Sequence, residues 1–114
     1  MEKLEREAAK AWIVKTCGEG WLNMADIAYD NLPEGLFITE VFQKWGGLKI
    51  NFEGENEVFE ELTDQIYYLS QYLCELCGKS AQTAILDGWE TAVCREHFEK
   101  SAAKEKFCTP YNQV

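Results

Sequence analysis

The chain has 114 residues, of which 46% are hydrophobic and 13% aromatic, enough for one domain with a modest core. Twenty acidic residues stand against eleven basic ones, a formal charge of −9 that opposes binding to phosphate backbones, where affinity rests on lysine and arginine. No apolar run approaches the ~20 residues of a membrane span. The opening Met1-Glu2-Lys3-Leu4-Glu5-Arg6-Glu7 is too charged for a secretory signal, so a cytoplasmic protein is expected.

Taken in order, Leu4 to Cys17 predicts a helix, with Leu4, Ala8, Ala11, Trp12 and Ile13 as its apolar stripe and Gly18 and Gly20 as its stop. A second helix is expected from about Leu22 to Leu32, burying Trp21, Ala25, Ala28 and Leu32. Pro33 ends it by disfavouring helix in the residue before it. Phe37, Ile38, Thr39, Val41, Phe42 and Trp45 favour a strand, and Leu48, Ile50 and Phe52 alternate with Lys49, Asn51 and Glu53 in a second. Gly46-Gly47 is expected to join the two as a hairpin. Asn56 can cap a third helix whose stripe is Val58, Phe59, Leu62, Ile66, Leu69 and Leu73, a spine running into Cys74.

Cys74-Glu75-Leu76-Cys77-Gly78 and Cys94-Arg95-Glu96-His97 then form two ligand pairs. A CxxC pair on a tight turn brings two thiolates to one ion at about 2.3 Å, and a second pair closes a tetrahedron. Three cysteines and a histidine leave no open position, so the ligand set Cys74, Cys77, Cys94 and His97 predicts a structural zinc. Gly78 fits the exit from such a turn, which needs positive φ.

Between the pairs, Gln82–Leu86 and Trp89–Val93 read as strands joined by Asp87-Gly88, a type I′ signal. Alanine, lysine and glutamate from Phe98 to Phe107 favour a helix. Knuckle, hairpin and helix is the layout of a treble-clef finger. The expected fold is therefore α+β: N-terminal helices, a β-hairpin and a central helix leading into a treble-clef-like finger. It is read as a single domain over 1–114, with an α/β body over 1–73 and a finger over 74–108.

Cys17 and Cys108 remain outside the ligand set and are expected to be reduced thiols. His97 is the sole histidine, and a metal claims it, so nothing supplies the base or activated nucleophile of an enzyme. From Ile50 to Gly78 the chain has no lysine or arginine, and Glu53, Glu55, Glu57, Glu60, Glu61 and Asp64 are expected to share a surface beside the third helix. Such a single-sign surface suits a partner with a basic face. Most of the four tryptophans are expected in the core. Trp45, at a hairpin tip, is expected to be an interface anchor.

Gln43-Lys44-Trp45-Gly46-Gly47-Leu48-Lys49, a helix ending in CxxCG, then Gly88-Trp89 and CxxH together resemble a group of small, largely uncharacterised zinc-finger proteins of bacteria and phages. The resemblance runs from Gln43 to His97, and its metal motif falls on Cys74, Cys77, Cys94 and His97. It implies a bacterial or phage origin and brings no known activity. Trp45 and Ile50-Asn51 depart from the pattern, which more often has phenylalanine and other aromatic residues there.

The expected function is that of a non-enzymatic, zinc-stabilised acidic protein that binds and inhibits another protein, one with a basic nucleic-acid site. A phage inhibitor of a bacterial defence nuclease and an immunity protein against a basic toxin both fit. The alternative is a nucleic-acid-associated zinc-finger regulator contacting its target through Lys100, Lys104 and Lys106.

Overall fold

In the computed structural model, which describes residues 2–101 and the backbone of 104–107, α1 (Arg6–Thr16) buries Ala9 and Ile13, and its C-cap, Cys17, is buried after them. This face differs from the expected stripe: Ala8 and Ala11 are exposed, and Trp12 is nearly half so. An 11-residue helix with alanine all round is ambiguous in rotation, and packing against α2 (Leu22–Asp30) and the first strand decides it. Arg6 and Lys10 reach Asp26 at 3.4 and 3.1 Å, and Arg6 reaches Asp30 at 2.7 Å, pairing the outer faces of the two helices.

Trp21, just before α2, is fully buried. Its Nε1–H donates to the carbonyls of Ser70 (3.0 Å) and Leu73 (2.9 Å), so the indole fills the core and satisfies the end of the third helix at once. It is the one buried tryptophan: Trp12, Trp45 and Trp89 are exposed, which overturns the expectation that most of the four lie in the core.

β1 (Phe37–Lys44) and β2 (Gly47–Glu53) form a two-stranded antiparallel sheet with Gln43 opposite Leu48 and Lys44 opposite Gly47. The turn is therefore Trp45-Gly46, one residue earlier than expected, with φ of 51° and 82° as type I′ requires. Gly47 is freed for β2, where a β-carbon would meet the Tyr67 ring at 2.7 Å. Val41, Leu48 and Ile50 point into the main core with Ile38, Phe59 and Ile66.

Asn56 caps α3 (Glu57–Ser70), its side chain accepting from the Phe59 N–H at 2.9 Å. The inward face is Phe59, Thr63, Ile66 and Ser70, with Leu62 partly buried, while Val58 and Leu69 are exposed, correcting the expected stripe. Small polar residues take inward positions because their hydroxyls are used: Ser70 Oγ accepts from the Leu48 N–H at 2.7 Å and donates to the Tyr67 carbonyl at 2.9 Å. α3 does not run straight into the ligands. It ends at Ser70, and a turn and an isolated bridge between Leu73 and Ser80 intervene.

The finger holds β3 (Gln82–Leu86), β4 (Trp89–Val93), α4 (Arg95–Lys100) and β5 (Lys104–Phe107), in sheet order β4-β3-β5. Asp87-Gly88 makes the expected turn, with φ of 53° and 81°. The expected helix over Phe98–Phe107 is overturned: α4 stops at Lys100, and β5 pairs antiparallel with β3. Pairing across the sheet outweighs a helical composition too short to propagate on its own. The architecture is α+β. A second core cluster of Ala81, Ala84, Val93 and Phe98 surrounds Cys74 and Cys94.

Candidate metal centre

Cys74 leaves the last bridge before the knuckle, with its N–H donating to the Lys79 carbonyl at 2.7 Å and its own carbonyl accepting from the Gly78 N–H at 2.7 Å. These two bonds close the CxxC turn, and Gly78 has the expected positive φ of 81°. Cys94 is the N-cap of α4, and its Sγ accepts from the His97 N–H at 3.5 Å. The second pair therefore sits across the first turn of that helix, where the dipole favours thiolate.

The four ligand atoms of Cys74, Cys77, Cys94 and His97 lie within 4.8 Å of one another. Cys77 Sγ is 3.8 Å from Cys94 Sγ, and His97 Nδ1 is 3.5 Å from Cys74 Sγ and 3.2 Å from Cys94 Sγ. A tetrahedron with arms of about 2.3 Å to sulfur and 2.0–2.1 Å to nitrogen has S–S edges near ~3.8 Å and S–N edges near ~3.5 Å. These three edges match those of a four-coordinate metal site, and the short contacts turn Nδ1 of His97 toward the sulfurs, which the sequence does not reveal. No disulfide joins these cysteines.

The thiols differ in their readiness to ionise. Burial pushes Cys74 up to about 11, against backbone hydrogen bonds from Cys94, Leu76 and Cys77 that pull it down. Cys77 is exposed; its slight burial raises it, but the Lys79 backbone, the two neighbouring thiols and the Lys79 charge outweigh that and lower it.

Glu75, between the two cysteines, is buried, unlike the other carboxylates of its segment. Its Oε2 accepts from Gln43 Nε2 at 3.2 Å, its N–H donates to the Ala92 carbonyl at 3.0 Å, and its carbonyl accepts from the Gly20 N–H at 2.8 Å. The knuckle is thereby fastened to β1, to β4 and to the turn after α1. Gly46 adds a further contact, facing Thr83 and Ala92 of the finger.

Cys17 lies buried outside the ligand cluster, its thiol pushed up by burial despite a hydrogen bond with Thr16. Cys108 falls outside the described residues.

Glu53, Glu55, Glu57, Glu60, Glu61 and Asp64 are all exposed. Glu57, Glu60, Glu61 and Asp64 follow i, i+3, i+4, i+7 along α3, away from its inward face. Glu55, Glu57 and Glu60 share a shallow cleft with Phe52 and Asn56, and Glu60 and Asp64 share another with Lys49. Trp45 is 68% exposed at the hairpin tip, with the Lys44 ammonium 4.9 Å from its ring centroid. Lys100 is on α4, whereas Lys104 and Lys106 are on β5, so the three do not form one helical face. Among the described residues, no helix is long and apolar enough to cross a membrane. No family model, curated protein or solved structure matches the chain.

Proposed function

We propose that the protein is a non-enzymatic binding module, held together by a structural zinc, whose acidic α3 flank docks on a basic surface of another protein and blocks it. The observation that carries this reading is the flank itself: six exposed carboxylates along the β2 exit and α3, in a segment from Ile50 to Gly78 with no lysine or arginine. Lys49 shares a cleft with Glu60 and Asp64 but leaves the field of the flank predominantly negative, and complementary potentials accelerate docking and reject wrong partners. A protein that binds nucleic acid presents such a basic groove. A phage inhibitor of a defence nuclease and a toxin-immunity protein are the two settings that use this chemistry.

Zinc is proposed because a Cys3His set with no open position is a structural zinc set, and its softness disfavours magnesium or calcium. The nucleic-acid regulator is the weaker reading, because its lysines are divided between α4 and β5.

The test is a capture experiment from bacterial lysate with the native chain and a Glu57→Lys/Glu60→Lys/Glu61→Lys variant, each checked for metal content. Basic proteins retained at low salt by the native chain, released as salt rises and absent from the variant, support the reading. Retention of the same proteins by the variant, or tight binding of duplex DNA or RNA with a steep salt dependence, overturns it.

A further inference from the structure

Between Lys15 and Lys79 the chain carries just two basic residues, Lys44 and Lys49, and the fold brings both to one notch. Lys44 pairs with Gly47 and Lys49 with Phe42 across the β1–β2 ladder, so the two lysines share one face of the hairpin, opposite Val41, Leu48 and Ile50. Trp45, Asp64, Tyr67 and Tyr68 complete the walls of a notch of ≈320 Å³. That volume lies at the small end of ligand clefts, suited to one ring-sized group with a short substituent.

The walls are fixed from behind. Tyr67 Oη donates to the Lys44 carbonyl at 2.9 Å, and its ring covers Gly47. Trp45 is held by a type I′ turn whose Gly46 abuts Thr83 of the finger. Trp45 and Tyr68 nevertheless remain 68% and 66% exposed, so both rings offer surface to solvent beside two ammonium groups, one of which, on Lys44, lies 4.9 Å from the Trp45 ring centroid. Asp64 and Lys49 form no ion pair with each other or with any other described residue, although they line the same notch.

The geometry points to a binding site for a nucleotide unit, a planar base with its phosphate, at Lys44, Trp45, Lys49, Asp64 and Tyr68. A base stacks on the exposed indole, as bases do on aromatic side chains in proteins that bind single strands. The ammonium groups of Lys44 and Lys49 take the phosphate. Asp64, which has no ion-pair partner among the described residues, receives the exocyclic amine of adenine, cytosine or guanine, which uracil and thymine lack. A ligand that is only anionic is repelled by Asp64, and one that is only cationic by the lysines; a nucleotide with an amino-bearing base satisfies both. The net charge of −9 does not forbid this, because charges beyond about 8 Å are largely screened at physiological salt. The site goes beyond the protein-docking reading and stands whether or not the acidic flank docks on a partner.

The test is nuclear magnetic resonance of the nitrogen-labelled, zinc-loaded full chain, following the Trp45 indole N–H, assigned through Trp45→Phe. Probes are AMP, CMP, UMP, ribose 5-phosphate, a short single-stranded oligodeoxyadenylate and a glutamate peptide. AMP and CMP are expected to shift the resonance saturably and more tightly than UMP, with ribose 5-phosphate weakest. Tyr68→Ala, which leaves the probe in place, is expected to lower affinity about tenfold by removing a stacking wall. Lys44→Ala/Lys49→Ala should do the same and flatten the salt dependence, and Asp64→Asn should erase the preference for AMP over UMP. Saturation by mononucleotides identifies a free nucleotide as the ligand. Saturation by the oligonucleotide alone, with the same variant dependence, identifies a nucleotide within a strand. Either supports the site. No saturable shift up to about 10 mM of any nucleotide, an equal response to the glutamate peptide, or affinities unchanged in the metal-loaded variants overturns it.

Discussion

Gly20 sits so close to Cys74 that a β-carbon on it would lie 1.8 Å from the Cys74 carbonyl oxygen. Atoms of Glu75 and Gly78 stand at 2.8 and 2.6 Å from the same point, and the Gly20 N–H donates to the Glu75 carbonyl at 2.8 Å. The turn after α1 therefore acts as the floor of the metal knuckle. Gly20 does not have positive φ, so the need for glycine there is steric. All three neighbours are backbone, which cannot rotate away as a side chain can. Gly20→Ala is expected to cost about 3 kcal/mol, the upper end for overpacking. A chain of this size then loses roughly 10 °C or more in Tm. Metal should also be released at a lower chelator concentration. A thermal melt equal to that of the native chain would show that the turn and the knuckle move apart freely.

The metal centre makes the sharpest stability prediction. Elemental analysis should find one equivalent of zinc, since the four ligands form a single cluster. Cys77→Ser should lose it with a large fall in Tm, because metal binding to such sites contributes on the order of 10 kcal/mol to folding. Cys17→Ala should keep full occupancy, since Cys17 lies outside the cluster. Equal zinc content in native and Cys77→Ser chains would remove Cys77 from the ligand set.

The ligand pairs, the Asp87-Gly88 turn and the Asn56 cap were legible because each is a local rule: a few adjacent residues determine the geometry without help from the rest of the chain. What escaped depends on distant partners. β5 exists because β3 offers an edge, and Lys104–Phe107 alone shows no sign of it. Gly18 and Gly20 read as a helix stop, yet Gly20 is required by a knuckle more than fifty residues further on. The rotation of α1 and the inward Thr63 and Ser70 of α3 were hidden for a related reason, since apolar periodicity does not detect small hydroxyl residues that earn burial through hydrogen bonds. Glu75 lies in the same lysine- and arginine-free segment as six exposed acids, and nothing in the local sequence marks it as buried.

The Asn56 cap permits a clean local test. Its side chain satisfies the Phe59 N–H at 2.9 Å at the start of the helix that carries much of the core. Asn56→Ala is expected to cost about 1 kcal/mol, and Asn56→Asp to retain most of the stability, because aspartate caps equally well. Zinc content should not change in either. Equal denaturation midpoints for Asn56→Ala and the native chain would mean that water replaces the cap without penalty.

Glu75 links the metal knuckle to pH. Burial pushes its carboxyl up to about 7, against hydrogen bonds from Gln43 and the Ala92 backbone that favour the ionised form. Its unfolded value is near ~4.3, so the folded chain holds the proton more tightly than the unfolded one. The resulting stability is fully present below the unfolded value and is lost as pH rises toward and through about 7. Above that range a desolvated carboxylate stands between Cys74 and Cys77. Glu75→Gln removes the charge and keeps an oxygen to accept from Gln43 Nε2. The variant should therefore be more stable than the native chain at pH 8, by about 1–3 kcal/mol, and the difference should shrink to about 1 kcal/mol or less at pH 5. Urea denaturation of the zinc-loaded chains at the two pH values measures the difference. A Glu75→Gln variant that is equally or less stable at pH 8 would mean that the carboxylate is better solvated, or better bonded, than its burial against Gln43 and Ala92 implies.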